Sequence, residues 1–437
     1  MDELRRRDAL TVFGSLSASL AAMFGVTMAD SAREDADEPS SSGESPTDSN
    51  SSSSQTNSSA EQLAYAHDVR ARARAAGRPL STVTDLGEWT ATNGKITPTD
   101  WRDDGTETAV RLDSPASATR TGISTTFDRE IDLTTAALSL GIELERAATE
   151  TLRIRLFAPD ERNQFTMQRY CKRRQGAIRL DVAPGETIGA PDPTAVRGLS
   201  VESYTGGGKS LGLTTGALRV RDSPQRRHGA VILTFDDGDR TQLEAAKPLM
   251  DEYGFAGTVG VIPWLVGEDN RIGRQELHEM AADGWEMASH PQREGSPLPS
   301  LSKSDQRALV ERSKRWLLDE GFEQRGESLI WPFGAFDEQT LDLVGEYHRL
   351  AFAGGSSTAP WAITEPGWVP RVNGDDSNAV KRAIDMAEQF GSVATLMYHT
   401  IGETRLSIDG FREQLRYIDR ADVDVIVPSA LANAQPY

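Results

Sequence analysis

The chain is expected to fold as a β-sandwich followed by a (β/α) barrel of seven to eight units, with a disordered linker ahead of both. Three observations carry that expectation. Residues 84–222 alternate apolar and polar positions with a period of two, as half-buried strands do. Residues 228–437 alternate short apolar runs with stretches of helical length, as parallel sheets do. Residues 30–61 do neither.

In chain order, residues 1–29 read as an export signal. Arg5, Arg6 and Arg7 precede an uncharged, largely apolar stretch from Ala9 to Ala29, a basic region followed by an apolar one. The paired arginines with Leu10 close behind resemble a twin-arginine signal, and Thr27-Met28-Ala29 offers small residues for cleavage. Left uncleaved, these 21 residues are just long enough to cross a bilayer, so the only expected membrane contact is through this segment. Residues 40–59 then hold eleven serines, and residues 30–61 carry eight acids against one arginine. Such a segment cannot bury enough apolar surface to offset the entropy of folding and reads as a tether. Residues 62–83 suggest a short Ala/Arg-rich helix and a connector.

The sandwich is read from runs such as Leu138, Leu140, Ile142 and Leu144, then Leu152, Ile154 and Leu156, then Ile178, Leu180 and Val182. Gly-, Pro- and Asp-rich connections separate them. A sandwich on an exported protein often binds glycan, and Trp89 and Trp101 are candidates to stack on sugars; the competing reading makes both of them core residues of a spacer.

The barrel is read from eight apolar runs, VILTF (231–235), GTVGVI (257–262), WEMAS (285–289), LIWPF (329–333), LAFAG (350–354), WVPRV (368–372), ATLMYH (394–399) and VDVIVP (423–428). Helix-like segments such as Leu243 to Tyr253, Ser304 to Leu318 and Phe411 to Arg420 lie between them. Seven or eight such units in about 205 residues favour a closed or nearly closed barrel, whose active site belongs at the C-terminal ends of its strands.

Composition excludes some functions. The net charge is −19, and of 47 basic residues 40 are Arg and 7 are Lys. An acidic, Lys-poor surface does not suit nucleic acid. It suits a protein that stays hydrated in high salt, in a haloarchaeal style, although a GC-rich genome also favours Arg. The single cysteine, Cys171, allows no intrachain disulfide and no Cys-based zinc site. Any metal must be held by His and carboxylates.

The apolar run 231–235 ends abruptly in Asp236, Asp237 and Gly238. Unpaired buried carboxylates are costly, and two adjacent ones repel unless a cation or proton lies between them. The pair therefore reads either as a metal or proton-transfer site or as an Asp-Gly turn. His290 closes the third run, Phe333 and Gly334 the fourth, and His399 the seventh. Two histidines on the strand-end face that carries an Asp-Asp pair favour chemistry over satisfied core imidazoles. If Pro291 opens a helical turn, Glu294 falls on the same face as His290. Asp237, His290 and Glu294 then form a facial site for a divalent metal, zinc first, with iron, manganese, cobalt or nickel also fitting. Glu294 reads equally as a solvated carboxylate near Arg293.

These residues resemble the motifs of the NodB-homology polysaccharide deacetylases, carbohydrate esterase family 4, over roughly residues 228–430. The first motif, T-F-D-D-G, is intact from Thr234 to Gly238. The resemblance implies Asp236 as general base and Asp237 as metal ligand. In the second motif the family's first His is matched by His290, but Glu294 stands where the family has His or Asp. In the third, Pro332-Phe333-Gly334 is kept, but Ile330 stands where the family has Arg. The resemblance implies that the Phe333 amide helps bind the oxyanion. The last motif reads Met397-Tyr398-His399 against L-x-H and implies His399 as general acid. Arg371 is a candidate for the missing positive charge near Asp236, or else part of a surface ion pair.

The expected function is an exported, metal-dependent deacetylase that hydrolyses N-acetyl or O-acetyl groups of an envelope or extracellular polysaccharide. Two alternatives stand beside it. One is a glycan-binding surface protein whose barrel has lost catalysis, suggested by Glu294 and the absent motif-three Arg. The other is an amidase or imidase acting on a small molecule.

Overall fold

The computed structural model describes residues 73–74, 76–80, 88–101, 108–146, 151–170, 176–205, 210–222, 228–293, 295–322, 327–402 and 405–435. The export signal, the linker, residues 62–72, Cys171 and Glu294 lie outside them.

The first layer pair is all antiparallel. Its strands are β1 (Arg78–Pro79), β2 (Trp89–Thr92), β3 (Lys95–Asp100), β4 (Thr108–Asp113), β5 (Arg120–Ile131), β6 (Ala136–Arg146), β7 (Thr151–Phe157), β8 (Gln164–Tyr170), β9 (Ala177–Val182), β10 (Glu186–Ile188), β11 (Val196–Tyr204) and β12 (Gly212–Asp222). One sheet runs β3-β4-β12-β6-β9 with β1 alongside β12, and the other runs β10-β8-β7-β11-β5-β2. The expected alternation is visible in β7, where Leu152, Ile154 and Leu156 are buried and their neighbours half-buried. They join one core with Leu138, Leu140, Ile142 and Leu144 of the other sheet. The boundary differs from expectation, because Arg78–Pro79, assigned to the connector, adds a strand to the sandwich. Trp89 and Trp101 are 4% and 1% exposed, with the Trp101 ring lying over Gly141 and Gly216. Both are core residues, and neither is available to stack on a sugar.

All eight apolar runs of the second half are parallel strands: β13 (Gly229–Phe235), β14 (Thr258–Val261), β15 (Glu286–Ser289), β16 (Ser328–Ile330), β17 (Leu350–Gly354), β18 (Val369–Asn373), β19 (Val393–Tyr398) and β20 (Val423–Val425). Seven of them close into a ring, because β13 pairs with both β19 and β14. β20 enters beside the lower half of β13, at Gly229–Val231, while Thr234 and Phe235 higher up pair with β14. The count of seven or eight thus depends on height in the barrel. Between the strands lie α1 (Lys247–Asp251), α2 (Arg274–Ala282), α3 (Lys303–Asp319), α4 (Glu338–Gly345), α5 (Ser377–Phe390) and α6 (Ile408–Arg420), and α7 (Pro428–Asn433) follows β20. Four of their starts are capped by side chains: Ser302, Asp337, Asp376 and Ser407 each accept a hydrogen bond from a backbone amide of the first turn. The stretch before α1 is a wide π-type turn over Gln242–Ala246 instead of α-helix.

The two halves join along the segment 355–368, which links β17 to β18. Asp181 of β9 accepts the Thr364 amide on both carboxylate oxygens, at 3.1 and 3.0 Å. Arg169 of β8 reaches Ser357, the Asp181 carbonyl at 3.0 Å and the face of Trp368. Phe165 meets Phe390 of α5 edge to face, with ring centroids 5.1 Å apart.

Candidate active site

Every residue of β13 is buried, which suits an apolar strand enclosed by neighbours on both sides. Its last ladder bond runs from the Asp236 amide to the Tyr398 carbonyl, 2.9 Å. The chain then leaves the sheet. Asp237 takes φ +72° and Gly238 φ +64°, so consecutive residues occupy the left-handed region. A residue with a Cβ is rare there and needs support from its surroundings. Arg271 donates to the Asp237 carbonyl at 3.0 Å, and the Ile272 amide donates to the Gly238 carbonyl at 3.0 Å. The sharp turn sends the two aspartate side chains to different environments.

Asp236 is 4% exposed and faces Arg371 of β18, itself 2% exposed. The guanidinium donates from Nη1 to Oδ1 at 2.5 Å and from Nη2 to Oδ2 at 2.9 Å, a two-pronged contact. Burial by itself raises the Asp236 pKa, but the charge and hydrogen bonds of Arg371 outweigh it and the carboxyl ends below the ordinary range. Arg371 is therefore no surface ion pair. Ile330, which stands where the resembled motif has Arg, is fully buried and packs with Ala230, Ile232 and Ala288. The buried positive charge beside Asp236 comes from β18, two strands along the barrel from β16.

Asp237 keeps a side chain 30% exposed, and its Oδ1 lies 3.2 Å from His290 Nε2. Burial raises its pKa and His290 more than reverses this, bringing it to about 2. His290 Nδ1 lies 2.8 Å from the Ile330 carbonyl. A carbonyl only accepts, so Nδ1 carries the proton and Nε2 is left to face Asp237. A backbone-oriented imidazole with its far nitrogen beside a carboxylate is a usual arrangement for metal ligation. An N,O donor pair of this kind fits a divalent ion such as zinc. Among the described residues no group of three His, Cys, Asp or Glu side chains comes together as a metal site, and Glu294 lies outside those residues. The helical turn expected from Pro291 does not form. The Gln292 amide bonds back to the His290 carbonyl at 2.8 Å, and Arg293 bridges to Ser296.

His399 stands beyond β19, 26% exposed, with Nε2 3.8 Å from Asp236 Oδ2. Its Nδ1 is buried and has no hydrogen-bond partner among the described residues. Phe333 lies in a tight turn after β16 with φ +58° and ψ 13°, followed by Gly334 at φ +58°. The residue is 42% exposed, so an apolar side chain is displayed at the rim. The strand ends thus bring together Asp236, Asp237, His290, His399 and Arg371, with Phe333 on the neighbouring turn.

Two residues escaped the sequence reading. Asp375 follows β18; burial raises its pKa, and the charges of His399 and Arg405 act against that rise. It belongs to a second Asp-Asp pair after an apolar run, Asp375-Asp376, the pattern that drew attention to Asp236. Tyr170, the last residue of β8, touches Gly354 at the end of β17, 3.5 Å from where a Cβ there would lie. Gly354 is paired with Arg371, so the sandwich comes close to the strand-end face of the barrel. No local sequence signal marks this contact.

The family of polysaccharide deacetylases matches residues 223–349, from the start of β13 to the foot of β17. The C-terminal half thus contains a segment similar to polysaccharide deacetylases. Two curated relatives each match about a third of the chain. The Bacillus subtilis protein YxkH, provisionally named a polysaccharide deacetylase, is 26% identical over 148 residues, 34% of this chain and 51% of its own length. A poly-β-1,6-N-acetyl-D-glucosamine N-deacetylase of Staphylococcus aureus is 28% identical over 162 residues, 33% of this chain and 53% of its own length. The chain thus spans about half the length of the curated relatives it matches. Among solved structures, a family 4 carbohydrate esterase from Streptomyces lividans in complex with acetate is matched over 46% of this chain and 94% of its own, with 12% identity and a TM-score of 0.36. Asp236, Asp237, His290 and Phe333 lie within the matched residues 223–349, and Arg371, Asp375 and His399 lie beyond them.

Proposed function

We propose that the protein is an exported, metal-dependent deacetylase that hydrolyses N-acetyl or O-acetyl groups on an envelope or extracellular polysaccharide. The observation that carries this reading is one strand-end face with two differently held carboxylates: Asp236 gripped by Arg371, and Asp237 set against His290 Nε2. Asp237 and His290 would hold the ion, with Glu294 the candidate third ligand. A divalent cation bound there would acidify a water and polarise the acetyl carbonyl, which lets a carboxylate as weakly basic as Asp236 act as base. Arg371 keeps Asp236 ionised and fixes the direction of its oxygens. Asp236 accepts the proton of the attacking water. The Phe333 amide, on its left-handed turn, donates to the oxygen on which charge develops. His399, within 3.8 Å of Asp236 and open to solvent on one side, gives a proton to the departing amine or alcohol.

The reading of a barrel without catalysis loses one of its two motives, because Arg371 supplies the charge that motif three lacks. The export signal, the acidic surface and the low-complexity tether support an extracellular, high-salt setting. The test is acetate release from chito-oligosaccharides and from β-1,6-linked N-acetylglucosamine oligomers, with and without added divalent metal. Metal-dependent release by the wild type is expected. Glycan binding without any acetate release would favour the non-catalytic reading, and turnover of small cyclic imides alone would favour the amidase. Cell fractionation of wild type and an Arg6→Lys/Arg7→Lys variant tests export; retention of the variant inside the cell is expected.

A further inference from the structure

We infer that Gln242 is a positioning residue that holds the base and the acid of this reaction at their working separation. The inference rests on the deacetylase reading above. β13 and β19 pair in register as far as Phe235 and Tyr398, and the Asp236 amide makes the last bond between them. Past that point both chains leave the sheet, and the carbonyls of Asp236 and His399 have no ladder to enter. The Gln242 side chain, fully buried, serves both: Nε2 lies 2.6 Å from the Asp236 carbonyl and 3.0 Å from the His399 carbonyl. Both neighbours only accept, so the amide must present its two N–H groups to them. The reversed amide would set its oxygen against two carbonyl oxygens.

The turn that delivers Gln242 is tied to the same two strand ends. Thr241 Oγ1 donates to Asp239 Oδ1 at 2.6 Å and accepts the Ile401 amide at 3.1 Å, two residues past His399. The Gln242 amide closes the turn on the Asp239 carbonyl at 3.0 Å. The wide turn over Gln242–Ala246 replaces an ordinary helix start at this point, a deviation that often accompanies functional sites. The imidazole of His399, by contrast, makes no hydrogen bond to a described residue, and its Nε2 lies 3.8 Å from Asp236 Oδ2. Its place relative to Asp236 is therefore set through its backbone, and Gln242 is the side chain that bonds both backbones at once.

Such a role predicts a selective defect. Protonation by His399 matters for a poor leaving group, an amine, and little for an aryl alcohol that departs unaided. Displacement of His399 should therefore impair amide cleavage while largely sparing an activated ester. The test uses full-length Gln242→Leu and Gln242→Asn, metal-loaded, with N-acetylglucosamine oligomers and 4-nitrophenyl acetate as substrates. The expected result is a fall in kcat on the amide of about 10- to 100-fold, the scale of an ångström-size misplacement. KM is expected to stay within about twofold and ester turnover within about threefold, which marks an interaction used in the chemical step. Bound metal, measured independently, should be unchanged. Should the Leu variant not fold, the shorter but polar Asn variant carries the test. Equal loss on both substrates, loss of bound metal, or an amide rate within about threefold of wild type would overturn the role. A wild type silent on both substrates would overturn the deacetylase reading, and this inference with it.

Discussion

The sandwich and the barrel both bury charge, and they do so for different ends. At the joint between them Asp181 is buried and its carboxylate accepts a barrel amide, while the Arg169 guanidinium bonds the Asp181 carbonyl and Ser357. Burial pushes the Asp181 pKa up, against the hydrogen bonds and the nearby Arg221 and Arg169 that lower it. At the strand ends of the barrel, Asp236 and Asp237 are instead matched with other ionisable side chains, and their pKa values fall. Asp237 and His399 also keep side chains 30% and 26% exposed. Buried charge alone does not mark a site. Charge satisfied by the backbone holds two halves together; charge poised against other titratable groups, with one side open, can exchange protons with a substrate.

The largest expected effect comes from neutralising the base. Asp236→Asn should lower acetate release by about 10²–10⁴-fold, the usual worth of general acid–base catalysis. Near-wild-type kcat in that variant would break the comparison at its centre. Chelation should likewise reduce turnover to background, and restoring zinc or another divalent ion should recover it. The apo protein should also melt earlier, since an ion at a hundred times its Kd stabilises the folded state by about 2.7 kcal/mol. Arg371→Lys keeps the charge but loses the two-pronged grip, and kcat should drop about tenfold, the cost of one hydrogen bond to a charged group. Asp181→Asn offers the contrast. Its carboxylate serves a backbone amide and its pKa is already raised, so kcat should not change and thermal unfolding should report a loss of only about 1 kcal/mol.

The last effect is a slope in stability, with no change in turnover. His348 is buried, its Nε2 2.8 Å from Ser289 Oγ, and burial with the nearby Lys314 charge holds its pKa well below 6.5. In the unfolded chain it binds a proton below about pH 6.5, and in the folded chain it does not. The unfolded state therefore binds more protons, and stability must fall as pH drops below that value, by up to about 1.4 kcal/mol per pH unit. His348→Gln should flatten this part of the stability curve, as urea unfolding between pH 7 and 5 would show.

Much of this was legible along the chain because the signals are local. The eight apolar runs are the eight barrel strands, and polar residues that interrupt such runs must lie at strand ends. That reasoning locates Asp236, Asp237, His290 and His399 without any long-range information. It falters where a role is filled from a distance. Nothing near Ile330 shows that its missing positive charge arrives on β18. Nothing near Tyr170 shows that a sandwich strand ends at the barrel rim. Pro291 suggests a helical turn that the chain replaces with a tighter bend. For Trp89 and Trp101 the sequence leaves core and surface both open, since an aromatic ring suits either and only the opposing sheet decides.

By itself the sequence determined the order of parts, the two folding periods, the acidic surface and the chemical types at the strand ends. These follow from composition and spacing, which need no knowledge of what lies opposite. The tertiary structure alone decided that Arg371 grips Asp236, that Asp237 turns away to meet His290, and that Gln242 spans the two strand ends. Those are distances between residues far apart in the chain, and only closing the barrel brings them together.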